Sequence, residues 1–459
     1  MGGVAALARA AGHRVTGSDQ NVYPPMSTQL AALGIELIEG YGPEQLDLRP
    51  DVVVVGNVMR RGVPVIEALL DRGLPYVSGP EWLARELLRE RWVLAVAGTH
   101  GKTTTTSMLS WILAHAGREP GFLIGGVPAN FGVSARLGGS AFFVIEADEY
   151  DTAFFDKGPK FLHYFPDALI LTHVEFDHAD IYADLDAVKT AFMRLVNLVP
   201  RRGRIVAYDA SENVSQCVAR AFCSVERYGF SADAHWHIAE CTTQDDRSLW
   251  QIHRNGKAWA EFSMPVVGEH NVLNATAAAA LAAGQGIPLA AIQKALASFR
   301  SVKRRLEVCA EVNGITIIDD FAHHPTAIRE TLRALRARYP GRRLWAVLEP
   351  RSNTLRRNVF QKELVESLTV ADRVILAQVY QQEKIPVEQR LHVERVIGDL
   401  QQRQHAAVSL PDVDAIVAHL AAHAQSGDVV ALLSNGGFGD IYRKLPERLQ
   451  SMSQSGAQR

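Results

Sequence analysis

The stretch Trp92–Gly117, WVLAVAGTHGKTTTTSMLSWILAHAG, decides how the rest of the chain is read. Val93–Ala97 is a short, continuous apolar run with β-branched residues, which suits a strand buried on both faces of a parallel sheet. Gly98-Thr99-His100-Gly101 then turns the chain, and Lys102-Thr103-Thr104 opens a helix. Met108, Ile112 and Leu113 fall at core-facing spacing on it, and Gly117 stands past its end as the C′ residue. Strand, glycine turn, Lys-Thr and helix together predict a phosphate cradle. Backbone N–H groups at the helix N-terminus face the anion, the lysine adds a point charge, and the threonine hydroxyl can hold Mg²⁺. The usual G-x-x-x-x-G-K loop would put its first glycine at position 96, where Val96 stands, so this loop is a shortened one. An ordinary glycine-rich turn with a surface lysine is the alternative. The strand before it and the helix after it argue for the cradle.

Working outward, 459 residues are too many for one core and predict two to four domains. A 47% apolar, 21% charged composition is that of a globular protein, and a net charge of −2 gives no global attraction to nucleic acid. Cys217, Cys223, Cys241 and Cys309 show no C-x-x-C spacing, which fits a reducing compartment. No apolar run approaches the ~18–20 residues of a membrane span, and the first residues lack the basic-then-apolar pattern of a secretory signal. The expectation is a cytoplasmic protein with neither a nucleic-acid nor a membrane partner. Nothing in the sequence sets its oligomeric state.

Three α/β units are expected, each with a mainly parallel sheet: residues 1–90, 91–301 and 302–459. The first reads as helix Gly2–Ala11, strand His13–Ser18 with Asp19 after it, helix Met26–Leu33, strand Glu36–Ile38, strand Asp51–Val55 ending at Gly56-Asn57, and helix Val63–Asp71. A doubly wound unit places a strand and a glycine turn before its first helix, so the reading expects one more strand, about a dozen residues, ahead of Met1. In the second unit, strand Phe142–Ile145 runs into Glu146-Ala-Asp-Glu-Tyr-Asp151, and strand Ala168–Thr172 runs into His173-Val-Glu-Phe-Asp-His178. Carboxylates and histidines at the C-terminal ends of parallel strands lie where α/β sheets bind ligands. Thr103 and one carboxylate from 146–151 would suffice for one Mg²⁺.

Residues 204–262 read as short strands and polar turns, whose His235 and His237 are not taken for a metal site. Asn271 and Asn274 share one face of an Ala-rich helix. They read either as capping amides or as groups for a base edge. The third unit has strands Ile315–Asp319, Leu344–Leu348, Arg373–Ala377 and Asp428–Leu433. The loops beginning at Asp319, Glu349 and Ser434 are expected to line one cleft. The tail after Gln450 reads as frayed.

GTHGKTT at 98–104, EADEYD at 146–151, EFDHAD at 175–180, HNVLNAT at 270–276, RRLE at 304–307 and DDFAHHPT at 319–326 occur in the order seen in the Mur ligases. The chain therefore resembles these ATP-dependent amide-forming enzymes of peptidoglycan synthesis along essentially its whole length. NVYPPMST at 21–28, LEPRSNT at 348–354 and SNGGFG at 434–439 look like the family's recycling branch, which joins UDP-N-acetylmuramate to the murein tripeptide L-Ala-γ-D-Glu-meso-diaminopimelate.

The resemblance implies ATP and Mg²⁺ as cofactors and a UDP-binding first unit, an ATP-binding second and a peptide-binding third. It implies a nucleotide site of Gly98, Thr99, His100, Gly101, Lys102, Thr103 and Thr104, with Asn271 and Asn274 by the adenine and Arg305 and Asp320 completing it. A first Mg²⁺ would fall to Thr103 and Glu146 and a second to His178, and catalysis to Lys102, His178 and Arg305. Substrate contacts would come from Ser18, Asp19 and Asn57 at the UDP end, and from His323, His324, Arg351, Ser352, Asn353 and Asn435 at the peptide end. His178 and the His323/His324 pair are alternatives for the base that takes the amine proton. Some relatives carry a carbamylated lysine where this chain has Phe192, with Lys189 one turn earlier, so that modification is not expected. The rival readings are the same chemistry with free L-alanine, a P-loop ATPase or nucleotide switch, and a UDP-sugar-binding protein without activity.

Overall fold

The computed structural model of the protein describes residues 1–20, 26–244 and 246–456. Part of the 21–28 motif, residues 21–25, therefore lies outside the described residues. The strand at the head of the phosphate loop, Trp92–Ala97, lies between Ala168–Leu171 on one side and Phe142–Ala147 on the other, all three parallel. It is the middle of a ten-stranded sheet that continues in parallel through Arg204–Tyr208 and Ser224–Gly229 on one flank and Gly121–Leu123 on the other. Val93 through Ala97 are buried, because helices cover both faces of the sheet. This arrangement brings the ends of Trp92–Ala97, Phe142–Ala147 and Ala168–Leu171 together, and with them the three motifs that follow those strands.

Two further features of this unit depart from the sequence reading. Residues 204–262 do not alternate short strands: Trp236–Gln244, Arg247–Arg254 and Lys257–Met264 form a long antiparallel meander at the sheet's edge. Phe192 is fully buried on the helix Leu185–Leu198 and packs against Phe161, while Lys189 on the same helix pairs with Asp186 at 2.6 Å.

The third unit is a six-stranded sheet in the spatial order Glu307–Val312, Ile315–Asp320, Val429–Leu433, Leu344–Leu348, Arg373–Ala377, Ala406–Leu410. Only its first pair is antiparallel. The strand Ala406–Leu410 was missed because AAVSL carries little β signal by itself and is an edge strand held by its neighbour. Helix Pro325–Arg338 buries Ile328, Leu332 and Leu335, the face its spacing predicts. The last helix, Ile441–Gly456, runs past Gln450, where the sequence reading placed a frayed tail.

The first unit holds two separate two-stranded parallel sheets, Thr16–Asp19 with Glu36–Glu39 and Val53–Val55 with Tyr76–Ser78. The strand expected over His13–Ser18 starts at Thr16 and includes Asp19, and Tyr76–Ser78 carried no signal strong enough to be read. Its small core around Val55, Ile66 and Leu69 is completed from the second unit by Ala153, Phe154 and Phe155. Ser78 donates to Asp156 Oδ2 at 2.7 Å across the same junction.

Candidate active site

The phosphate loop is shaped by two glycines with positive φ. Gly98 (φ +133°) sits where a Cβ would overlap the Thr172 hydroxyl and stand 2.9 Å from both N and O of His173. Gly101 (φ +79°) sits where a Cβ would come 2.5 Å from Asn274 Oδ1. Helix Lys102–His115 begins at this point, and the Gly117 and Arg118 N–H groups fold back onto the carbonyls of Ala114 and Leu113 to close it, with Gly117 at φ +72°. Gly98→Ala should leave the sheet intact but displace the loop backbone. ADP affinity is expected to fall by about tenfold, as measured by calorimetric titration.

Lys102 does not point to solvent. Its Nζ donates to the Gly98 carbonyl at 2.7 Å and lies 2.9–3.0 Å from both carboxylate oxygens of Glu149, which is 2% exposed. Burial opposes the charge on Lys102, but Glu149, Asp148 and Glu146 outweigh it and raise its pKa. Burial would raise Glu149 as well; Lys102 and the His178 hydrogen bond hold it low instead. Asp148 is likewise resisted by burial but pulled down to about 2, chiefly by Lys160, whose Nζ is 2.6 Å away.

Thr103 Oγ1 donates to Glu146 Oε1 at 2.9 Å, and the Gly125 N–H donates to Oε2 at 2.7 Å. Burial pushes the Glu146 carboxyl up in spite of these donors. A hydroxyl beside a half-buried carboxylate, with Glu149, Asp148 and His178 nearby, is an oxygen-rich donor set that suits Mg²⁺. His178 takes a left-handed backbone (φ +55°), uncommon for a histidine, and its Nε2 lies 3.3 Å from Glu149 Oε1.

The third unit closes over this site. Thr354 Oγ1 donates to Asp177 Oδ1 at 2.6 Å and accepts the Ala179 N–H at 3.2 Å, and Asn353 Nδ2 donates to Asp180 Oδ2 at 2.7 Å. Between the two units lies a cavity of about 380 Å³. Of the expected substrate residues it is lined by His323, Arg351, Ser352, Asn353 and Asn435, and His178 enters from the opposite wall. Arg356, Tyr380 and Gln381 also line it and were not anticipated. Arg356 follows the 348–354 motif by two residues. Tyr380 lies on a fourth loop at the same sheet edge, after Arg373–Ala377, which was the available signal. Arg351 lies over the Tyr380 ring at 3.8 Å, and the Asn435 Oδ1 is buried with no hydrogen-bond partner among the described residues.

Five other expected residues make contacts within the protein. His324 does not line the cavity: it is 5% exposed, turned toward His100 and Glu175. Asp320 is committed within its own unit, accepting N–H groups from Leu306 and Ala322 at 2.8 and 2.9 Å and the Thr331 hydroxyl at 3.1 Å. Asn271 donates its amide to the Val267 carbonyl at 2.8 Å, and Asn274 lies against Gly101 of the phosphate loop. Arg305 lies over the Phe321 ring at 4.9 Å. At the far end Asp19 accepts the Tyr41 hydroxyl at 2.6 Å, Ser18 is half-buried and Asn57 is exposed.

Comparison with known proteins agrees with this architecture. Residues 1–91 match the model described as Mur ligase family, catalytic domain; 96–282 match the Mur ligase middle domain; 304–436 match the Mur ligase, glutamate ligase domain. The chain is 49% identical over 456 residues, 99% of this chain and 97% of the relative, to UDP-N-acetylmuramate–L-alanyl-γ-D-glutamyl-meso-2,6-diaminoheptandioate ligase of Escherichia coli (strain K12). It is 34% identical to UDP-N-acetylmuramate–L-alanine ligase of Geobacter sulfurreducens, covering 95% of this chain and 92% of that one. Among solved structures, a murein peptide ligase from Psychrobacter arcticus 273-4 is 40% identical with a TM-score of 0.73, covering 98% of this chain and 96% of that one. Shared along nearly its full length, these matches and the phosphate loop at the meeting point of three parallel strands establish that the chain belongs to the Mur ligase family.

Proposed function

We propose that the protein is an ATP-dependent ligase joining the carboxylate of UDP-N-acetylmuramate to the amine of L-Ala-γ-D-Glu-meso-diaminopimelate, a reaction of peptidoglycan recycling. The observation that carries this reading is the 49% full-length identity to a ligase named for that tripeptide, against 34% to one named for L-alanine. In this reading residues 1–90 hold the UDP end through Ser18, Asp19 and Asn57, residues 91–301 hold ATP, and residues 302–459 hold the peptide.

A carboxylate is a poor electrophile toward an amine, so it is first phosphorylated. The substrate carboxylate attacks the γ-phosphate, ADP leaves, and the peptide amine then attacks the acyl phosphate and expels phosphate. Lys102 exchanges Glu149 for the β/γ-phosphates, and Thr99, His100, Gly101 and Thr104 complete the loop around them. A first Mg²⁺ on Thr103 and Glu146 and a second on His178 would neutralise charge building on the transferring phosphoryl group. In this reading Arg305, Asn271 and Asn274 serve the nucleotide. Docking of the third unit excludes water that would hydrolyse the acyl phosphate. His323 faces the same cavity and, with His178 given to the metal, is the group available to take the amine proton. Arg351, Arg356 and Asn435 offer the cationic and amide contacts that a peptide with several carboxylates needs and free L-alanine does not.

The test is phosphate release from ATP and UDP-N-acetylmuramate with either the tripeptide or L-alanine as acceptor. Stimulation by the tripeptide with the product seen by mass is the expected result; stimulation by L-alanine alone would refute the recycling assignment. Arg351→Ala should raise KM for the tripeptide about tenfold while leaving KM for UDP-N-acetylmuramate unchanged, as loss of a charge-assisted contact at the peptide end requires.

A further inference from the structure

We propose that His100, Glu175 and His324 form a separate metal site, for a zinc-class divalent ion, bridging the central and third units. Each residue offers one ligand atom, and these atoms lie within 4.8 Å of one another. His100 Nε2 is 3.1 Å and His324 Nδ1 is 3.6 Å from the same oxygen, Glu175 Oε2, and the two imidazole rings are 4.5 Å apart. Bonds of about 2.0–2.1 Å in tetrahedral geometry separate neighbouring ligand atoms by about 3.3 Å. The two distances to Glu175 bracket that value, so an ion fits with small side-chain adjustments and leaves its fourth position to water.

The donor set points away from Mg²⁺. Two imidazoles and one carboxylate suit zinc and its neighbours, whereas Mg²⁺ prefers oxygen throughout. The tautomer is also prepared. His324 Nε2 meets the Phe176 carbonyl at 3.2 Å and therefore carries the proton, leaving the Nδ1 lone pair facing the cluster. Nδ1 accepts only a long bond there, from the Thr326 N–H at 3.3 Å. The Thr326 hydroxyl holds the Glu175 carboxylate at 2.8 Å, which supplies the outer support that ligating carboxylates have.

The three ligands come from three elements: the phosphate loop, the loop after Ala168–Leu171, and the residue before helix Pro325–Arg338. An ion here would clamp the third unit to the central one beside the nucleotide loop. It shares no residue with the Asp148, Glu149 and His178 group.

The experiment uses the full chain freed of metal with a chelator and titrated with Co²⁺ in saturating Mg²⁺, read by visible absorption. Wild type should take up one Co²⁺ with the strong bands of four-coordinate cobalt, which Zn²⁺ abolishes. His324→Gln and Glu175→Gln should weaken it by about 100-fold or more, while His178→Asn keeps it. His324→Cys should retain binding and add a thiolate-to-cobalt charge-transfer band, which separates loss of a ligand from loss of fold. Absence of the bands in wild type, indifference to His324→Gln, or loss in His178→Asn would each overturn the site. Because the readout is metal and not ligation, it stands or falls independently of the ligase reading.

Discussion

Lys102→Met should lower the rate of ADP formation by about 10³-fold, because it removes the one cation that the loop itself brings to the transferring phosphate. The same change has a second effect of a different origin. Glu149 is almost wholly buried, and Lys102 is its closest cationic partner, with His178 at 3.3 Å as the other. Stripping Lys102 away leaves a buried carboxylate half-compensated, at a cost of about 3 kcal/mol. Glu149→Gln on the Lys102→Met background should recover most of that stability, since the amide needs no counter-charge, and should recover none of the rate. Denaturant midpoints and single-turnover ADP release, measured on the two single variants and the double, separate the effects. A double variant that regains turnover would remove Lys102 from the chemistry.

Asp320→Ala should be the most destabilising change in the third unit, by about 4 kcal/mol. Its carboxylate accepts three donors, the Leu306 and Ala322 N–H groups and the Thr331 hydroxyl, in a residue only 4% exposed. Each stranded donor costs about 1–3 kcal/mol when water cannot replace the acceptor. These bonds tie the entry of the first strand pair, the loop after Ile315–Asp320 and helix Pro325–Arg338 to one point, so the loss should show as early melting of the third unit. Asp320→Asn keeps one acceptor oxygen and should lose about half as much. Unchanged melting with ATP affinity lowered tenfold would return Asp320 to the nucleotide, as the sequence reading had it.

The two predictions draw on different layers of information. The phosphate loop, its strand and its helix are written in adjacent residues: an apolar run, two glycines where a Cβ would collide, and a 3.6-residue repeat. Such patterns are local, so the sequence sufficed for them, and the order of six such motifs along the chain sufficed for the family. The ends of Phe142–Ala147 and Ala168–Leu171 were legible as chemistry for the same reason. Where a carboxylate is aimed is not local. Asp319 and Asp320 are neighbours in the chain, yet one meets Arg304 at 2.9 Å and the other the backbone of Leu306 and Ala322.

The histidines of the 319–326 motif divide in the same way. His323 lines the cavity and His324 turns its back on it, because successive residues at a strand-to-helix junction point to opposite sides. The sequence by itself determined three α/β units, the phosphate cradle and the residue types around it. Only the tertiary structure decided which of those side chains line the cavity, that Arg356 and Tyr380 join them, that Phe192 is packed in the core, and that His100, Glu175 and His324 meet. Those outcomes depend on packing between segments far apart in the chain, up to 177 positions for Asp177 and Thr354, which no short window of sequence records.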